Sequence, residues 1–234
     1  LNYYREFSDD LRQKLINLRS LINEKNDLKK YANELKELER KITLFHSEIV
    51  NDISQRYKKK IDLVGFHGLT IFHDSTKKIS LQLGDGKLLS QLTKHIVINN
   101  FRQKDLKNEG QGAPLTPVFH RLICYLINKK KKIKYPIILM NIGGITNITK
   151  IKNNRDSNEK NLSAYDIAPG NCLIDEWVRK NTKQKFDYNG NFAKSGKVDQ
   201  LVFNQIIDNL NIESYEKSLD IKDFDLSFAR GLSF

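Results

Sequence analysis

Cysteine is scarce: Cys124 and Cys172 are the only two in 234 residues. Two thiols make neither a disulfide framework nor a four-cysteine zinc site. No apolar run approaches the ~18 residues of a membrane-spanning helix, which excludes such a span. Neither end joins a charged segment to an apolar run, so no signal peptide is read and a reducing, cytoplasmic setting is expected. Low-complexity repeats are missing. Gly-x-x-x-x-Gly-Lys-Ser/Thr is also missing, which argues against a Walker-type ATPase. His67, His73, His95 and His120 lack the spacing of metal ligands, and no protein-built metal site is expected.

What is present is charge and enough apolar content for a core. Lys plus Arg number 40 against 28 Asp plus Glu, a formal charge of +12, and 39% of residues are hydrophobic. The length suits one or two domains. The basic runs Lys58-Lys59-Lys60 and Lys129-Lys130-Lys131-Lys132 are short. They fall between expected helices and strands, and no aromatic residues interleave them as base-stacking would require. The charge therefore reads as solvated faces, with no specific nucleic-acid partner and no membrane partner. Leu1 stands where Met would begin a protein, and Phe234 ends the chain without a cap or polar tail. On this basis an internal piece of a longer protein is expected.

Residues 7–57 read as helix. Leu11, Leu15, Leu18 and Ile22 form one apolar stripe, with Ser8 as N-cap and Asp9 and Asp10 in the first turn. The stripe breaks at Asn23–Asp27 and resumes at Leu28, so two packed helices are favoured over a coiled coil. From Ile61 the period changes. Strands are expected at 61–66, 95–99, 136–142, 145–151 and 165–167, with a hairpin whose arms are 70–73 and 78–83. Helices are expected over 87–93, from Pro114 or Pro117 to Asn128, over 172–180, and for most of the chain from Phe192. Residues 101–112 read as a polar loop. Strands mixed with helices imply an α/β fold with a mixed sheet.

Glycine-bearing loops beside these strands are the places where ligands bind in α/β folds. In Asn141-Ile142-Gly143-Gly144-Ile145-Thr146-Asn147 the turn could aim backbone amides at a phosphate, or it could be a tight hairpin turn needing positive φ. Asp105 lies near Arg102 and two glycines. Its carboxylate could serve as a general base, or it could cap a helix or pair with Arg102. Cys124 falls on an apolar helix face and reads as core. The Asp175-Glu176 pair reads as part of a packed helix.

Taken in order, seven segments resemble the anhydro-N-acetylmuramic acid kinase family. They are Val64-Gly65-Phe66-His67-Gly68, Thr70-Ile71-Phe72-His73, Gln82-Leu83-Gly84-Asp85-Gly86, Phe101-Arg102-x-x-Asp105, Gly110-Gln111-Gly112-Ala113-Pro114-Leu115, Asn141-Ile142-Gly143-Gly144-Ile145-x-Asn147 and Asp166-x-x-Pro169-Gly170-Asn171-x-Leu173-Ile174-Asp175. The resemblance runs from about Ile61 to about Phe224, more loosely through the helices before it. Lys217-Ser218-Leu219-Asp220 with Asp223-Phe224 is a weaker late match.

The resemblance implies an α/β, actin-like ATPase fold of two ribonuclease H-like lobes, a two-lobe kinase fold read here as incomplete. Residues 1–134 would be the remainder of the N-terminal lobe and 135–234 the first part of the C-terminal lobe. It implies cleavage of 1,6-anhydro-N-acetylmuramic acid by water coupled to phosphorylation of O6, with ATP and Mg2+, in peptidoglycan recycling. Asp105 would be the catalytic base. His67, Thr70, Arg102 and Gln111 would bind the sugar. Asn141, Gly143, Gly144, Asn147, Gly170 and Asn171 would bind phosphate and nucleotide. A homodimer is compatible with the resemblance.

The chain also departs from the family pattern. Leu69 stands for Gln in His-Gly-Gln-Thr, and Asn100 for Asp before Phe101-Arg102. Lys107-Asn108-Glu109 replaces small residues, and Ile167-Ala168 replaces Thr-Gly. The Ser-Gly-Thr-Ser-x-Asp-Gly motif is not found. The reading is thus an internal fragment of such a kinase, inactive by itself, with a non-catalytic sugar-binding or structural remnant as the alternative.

Overall fold

The computed structural model describes residues 2–57, 60–153, 161–209, 219, 224 and 226. It divides into two compact units, Leu1–Ala113 and Pro114–Phe234. The expected division after residue 134 differs in placing the helix 116–130 with the first part rather than the second.

The first unit opens with helices α1 (Asp9–Leu21), α2 (Lys25–Lys30) and α3 (Ala32–Arg56). Ser8 caps α1, its hydroxyl accepting from the Leu11 N–H at 3.3 Å. The α1 stripe Leu11, Leu15, Leu18 and Ile22 is buried against Leu35, Leu38 and Ile42 of α3. That core continues into Phe66, Ile71, Phe72, Leu83 and Leu89, so the helices are part of a globular unit rather than a coiled coil. Burial of each such side chain contributes about 1.5–3 kcal/mol, which is what holds helices with so many charged outer positions.

Strands β1 (Val64–Phe66), β2 (Leu69–Asp74), β3 (Ile79–Leu83) and β4 (Val97–Asn99) follow, with α4 (Gly86–Thr93) before β4 and α5 (Phe101–Lys107) after it. β1 pairs parallel with β4, and β2 pairs antiparallel with β3. The loop into α4 is seated on α3. The Asp85 N–H donates to the buried Thr43 hydroxyl at 3.0 Å, and that hydroxyl donates to the Glu39 carbonyl at 2.7 Å. The Asp85 carboxylate caps α4 by accepting from the Leu88 N–H at 2.9 Å. A Cβ at Gly86 would overlap the Asn99 side chain, so Gly84-Asp85-Gly86 is a packing motif that fixes the ends of β1 and β4.

The second unit comprises α6 (Thr116–Lys130), β5 (Ile137–Ile142), β6 (Ile145–Ile151), β7 (Leu162–Pro169), α7 (Asn171–Asn181), α8 (Asn191–Ser195) and α9 (Gln200–Asn209). The strands form one antiparallel sheet in the order β5-β6-β7. α6 lies against β6, with His120 Nδ1 at 2.8 Å from the buried Thr149 hydroxyl.

Three expectations change. Residues 101–107 are helix rather than loop. Their side chains are mostly polar, but Leu106 is buried and anchors the turn. No sheet mixes directions among the described residues, because the parallel pair and the antiparallel strands stay in separate sheets. β7 runs over Leu162–Pro169, longer than the expected 165–167, because every residue of β6 from Ile145 to Ile151 has edge to offer except around one irregularity after Thr146. Cys124 is buried as expected, and burial pushes its thiol above the usual range. Residues 217, 218, 220 and 223 of the late match, and Lys58 and Lys59, lie outside the described residues. Among the described residues no helix is long and apolar enough to cross a membrane.

Candidate active site

β1 and β4 run parallel, so the residues that follow their carboxyl ends emerge on the same edge. His67 follows β1, and Arg102 and Asp105 follow β4 on α5. Such an edge is where α/β folds hold ligands.

Asp105 is in the last turn of α5, not at its N-cap, which is Asn100. The helix ends in a Schellman turn: Gly110 N–H donates to the Asp105 carbonyl at 2.9 Å and Glu109 N–H to the Leu106 carbonyl at 3.3 Å. The chain then doubles back, and Gly112 N–H donates to Asp105 Oδ2 at 2.7 Å. A Cβ at Gly110 would overlap the carboxylate itself. The loop 110–112 thus forms a close-fitting cradle for a half-buried carboxylate, and no hydrogen bond reaches Oδ1 among the described residues.

Arg102 is half-buried, and burial holds its guanidinium below the usual range with no carboxylate contributing among the described residues. Both structural explanations of Asp105, a cap and a pair with Arg102, therefore fall away. The Asp105 cradle and the Arg102 cation are separate features of one helix.

The exposed His67 has Nδ1 at 3.0 Å from the Gly68 carbonyl, which can only accept, so Nδ1 is the donor in that contact and Nε2 faces away from it. Gly68 is left-handed at φ 71, and a Cβ there would press on the Leu83 carbonyl. Thr70 accepts weakly from Gln82 Nε2 at 3.4 Å, and Gln82 donates to the Ser80 hydroxyl at 2.7 Å. Leu69, in the place of the family's Gln, packs against the hydrophobic core. Gln111 is exposed in the loop beside Asp105.

In the second unit, Asn141 and Asn147 are register partners across the β5–β6 hairpin, and Asn147 pairs onward with Asp166. The hairpin tip is fastened to the start of α7. The Gly143 carbonyl accepts from the Asn171 N–H at 2.7 Å, and the Gly144 carbonyl from Gly170 at 2.9 Å and Cys172 at 3.3 Å. A Cβ at Gly170 would overlap the Gly143 oxygen. Gly143 is not among the left-handed glycines and a Cβ there would meet nothing closer than 3.6 Å, so close approach accounts for Gly170 alone. The six residues expected to bind phosphate, Asn141, Gly143, Gly144, Asn147, Gly170 and Asn171, share one end of the sheet.

Two cavities, of about 580 Å3 beside Ser54, Lys60 and His95 and about 780 Å3 beside Tyr3, Ile53 and Tyr57, contain none of these side chains. They sit by Ile61, ahead of β1, away from the strand ends that carry His67 and α5. Sequence reasoning passed over Lys78, which reaches the loop after α5 from the turn before β3, and Gln103, which reaches from α5 to the Ser80 carbonyl of β3.

A family model described as Anhydro-N-acetylmuramic acid kinase matches residues 2–228. The chain belongs to the anhydro-N-acetylmuramic acid kinase family. A relative of that name from Pelagibacter ubique is 50% identical over 235 residues, covering 99% of this chain and 60% of the relative. One from Brucella canis is 32% identical over 96% of this chain and 58% of the relative. One from Methylobacterium nodulans is 37% identical over 71% of this chain and 43% of the relative. The chain spans about three-fifths of the length of the first of these.

The match over residues 2–228 corrects the extent of the resemblance, which the motifs placed from about Ile61 to about Phe224 and only loosely through the helices before it. Family likeness begins at residue 2 and takes in the helices α1–α3. The expectation of inactivity rested on the unmatched Ser-Gly-Thr-Ser-x-Asp-Gly motif, and a family match over nearly the whole chain lends it no support.

Proposed function

We propose that the protein is an ATP-dependent kinase of 1,6-anhydro-N-acetylmuramic acid, acting in peptidoglycan recycling. The observation that carries the reading is the Asp105 cradle. Among the described residues the carboxylate takes one hydrogen bond, from Gly112 N–H at 2.7 Å, which leaves Oδ1 to bind a water. Asp105 removes a proton from that water as its oxygen bonds to C1 of the sugar. The C1–O6 bond breaks, and O6 takes the γ-phosphoryl group while ADP leaves. General-base help of this kind contributes about 10²–10⁴-fold. The transfer itself relies on positioning and charge.

Arg102, with no carboxylate partner among the described residues, offers its cation to the sugar's carboxylate. His67 Nε2, Thr70 and Gln111 supply polar contacts along the same edge. The first amides of α7 are engaged by the Gly143 and Gly144 carbonyls, so the nucleotide phosphates would be met by the Asn141 and Asn147 side chains and the Gly144 N–H. Magnesium would arrive with ATP, since it keeps waters and phosphate oxygens in its shell and needs only one or two carboxylates.

Asp105→Asn keeps the shape and the oxygen that Gly112 meets but removes proton affinity. It is expected to lower kcat by about 10²–10⁴-fold, with the sugar and ATP still bound and the fold unchanged. Turnover in ¹⁸O water is expected to place the label at C1 of the product. Near-normal turnover of the variant, or label on the phosphate, would overturn the mechanism.

A further inference from the structure

We infer that Lys78 is a positioning residue for Asp105, an ammonium clamp that holds the cradle loop from the opposite hairpin. The inference rests on the kinase reading for its catalytic consequence, though not for the clamp itself.

The geometry begins at Asp74. Its Oδ1 accepts from the Thr76 hydroxyl at 2.6 Å and the Lys77 N–H at 3.0 Å, which closes the β2–β3 turn. The chain leaves the turn through Lys78 in the left-handed region, φ 54. From there Lys78 Nζ reaches two carbonyls more than thirty residues on, donating to Glu109 at 2.8 Å and Gly110 at 2.9 Å.

The Glu109 carbonyl shares its peptide group with the Gly110 N–H, and the Gly110 carbonyl lies between the two points at which the loop touches Asp105. On one side, Gly110 lies so close that a Cβ there would overlap the carboxylate, and it donates its N–H to the Asp105 carbonyl. On the other, Gly112 N–H holds Oδ2. The turn needs an outside hold because its left-handed position, where glycine is usual, carries Glu109 at φ 64. The Glu109 carboxylate, 3.8 Å from Nζ and largely exposed, adds little. A second tie, Gln103 Nε2 to the Ser80 carbonyl at 2.9 Å, joins β3 to α5 and keeps the hairpin in place beneath the clamp.

Lys78 touches neither the carboxylate nor a reacting atom. Its effect passes through the Gly112 amide. Loss of the clamp should loosen that amide and let the carboxylate drift, and a misplacement near 1 Å costs about 10²-fold in the extreme.

The test uses the full chain with Lys78→Met and Lys78→Arg. Amide exchange is followed by NMR at Gly112 and, as a control, at the core residues Ile42 and Leu83. Turnover is measured with 1,6-anhydro-N-acetylmuramic acid and ATP. Lys78→Met is expected to speed Gly112 exchange roughly tenfold with Ile42 and Leu83 unchanged, and to lower kcat roughly tenfold with KM within about twofold. Lys78→Arg, which keeps two donors, is expected to restore most of both. Unchanged Gly112 exchange, equal acceleration at the core amides, or an effect on KM alone would overturn the clamp. If the unaltered chain does not turn the sugar over but Gly112 exchange responds as stated, the clamp stands and the kinase reading fails.

Discussion

Asp74 shows how one carboxylate can organise a loop at a distance from the chemistry. The Thr76 hydroxyl and the Lys77 amide that it accepts from hold its carboxyl down at about 2. An unfolded aspartate titrates near 3.9, so the folded state favours the ionised form. That preference stabilises the protein above about pH 4 and is lost as pH falls through the folded value near 2. Asp74→Asn keeps an acceptor oxygen for both donors but has no proton to take up. Urea unfolding midpoints at several pH values are expected to drop less between about pH 5 and pH 2 in the variant than in the unaltered chain. Equal drops would show that Asp74 is not a source of the acid sensitivity.

At the scale of an element, α5 is the least expected helix and the one that carries the candidate base. It ends in a turn whose left-handed position is Glu109, and a side chain there costs about 1 kcal/mol or more. Glu109→Gly is expected to raise stability by about 1 kcal/mol in urea unfolding. A destabilised variant would mean that the Glu109 side chain makes up the strain.

Neighbouring elements show what could be read in advance. Leu11, Leu15, Leu18 and Ile22 announce α1 by their period, and the β2–β3 and β5–β6 hairpins show in alternation and turn residues. α5 was hidden because Phe-Arg-Gln-Lys-Asp-Leu-Lys places its two apolar residues five apart, a spacing that fits neither a helix stripe nor a strand. Gly110 and Gly112 flagged Asp105 because they lie close to it in the chain. Lys78 carried no such flag, because its partners lie more than thirty residues away and only folding brings them together. Helices α1–α3 match the family without a short motif, so their membership came from the whole-length comparison.

At the scale of the whole molecule, the net charge of +12 comes from lysines and arginines spread along the sequence of both units. Any binding to DNA is expected to be weak and indifferent to sequence, with log K falling linearly against log salt as counterion release requires. Fluorescence titrations of two unrelated duplexes at low and at physiological ionic strength would check this. A selective complex that survives the higher salt would contradict it. The division of the chain has its own bearing on the cradle. The first unit ends at Ala113, one residue beyond the amide that holds the Asp105 carboxylate. Gly112 thus serves twice: its amide holds the Asp105 carboxylate, and its place in the chain is the last but one before the second unit begins.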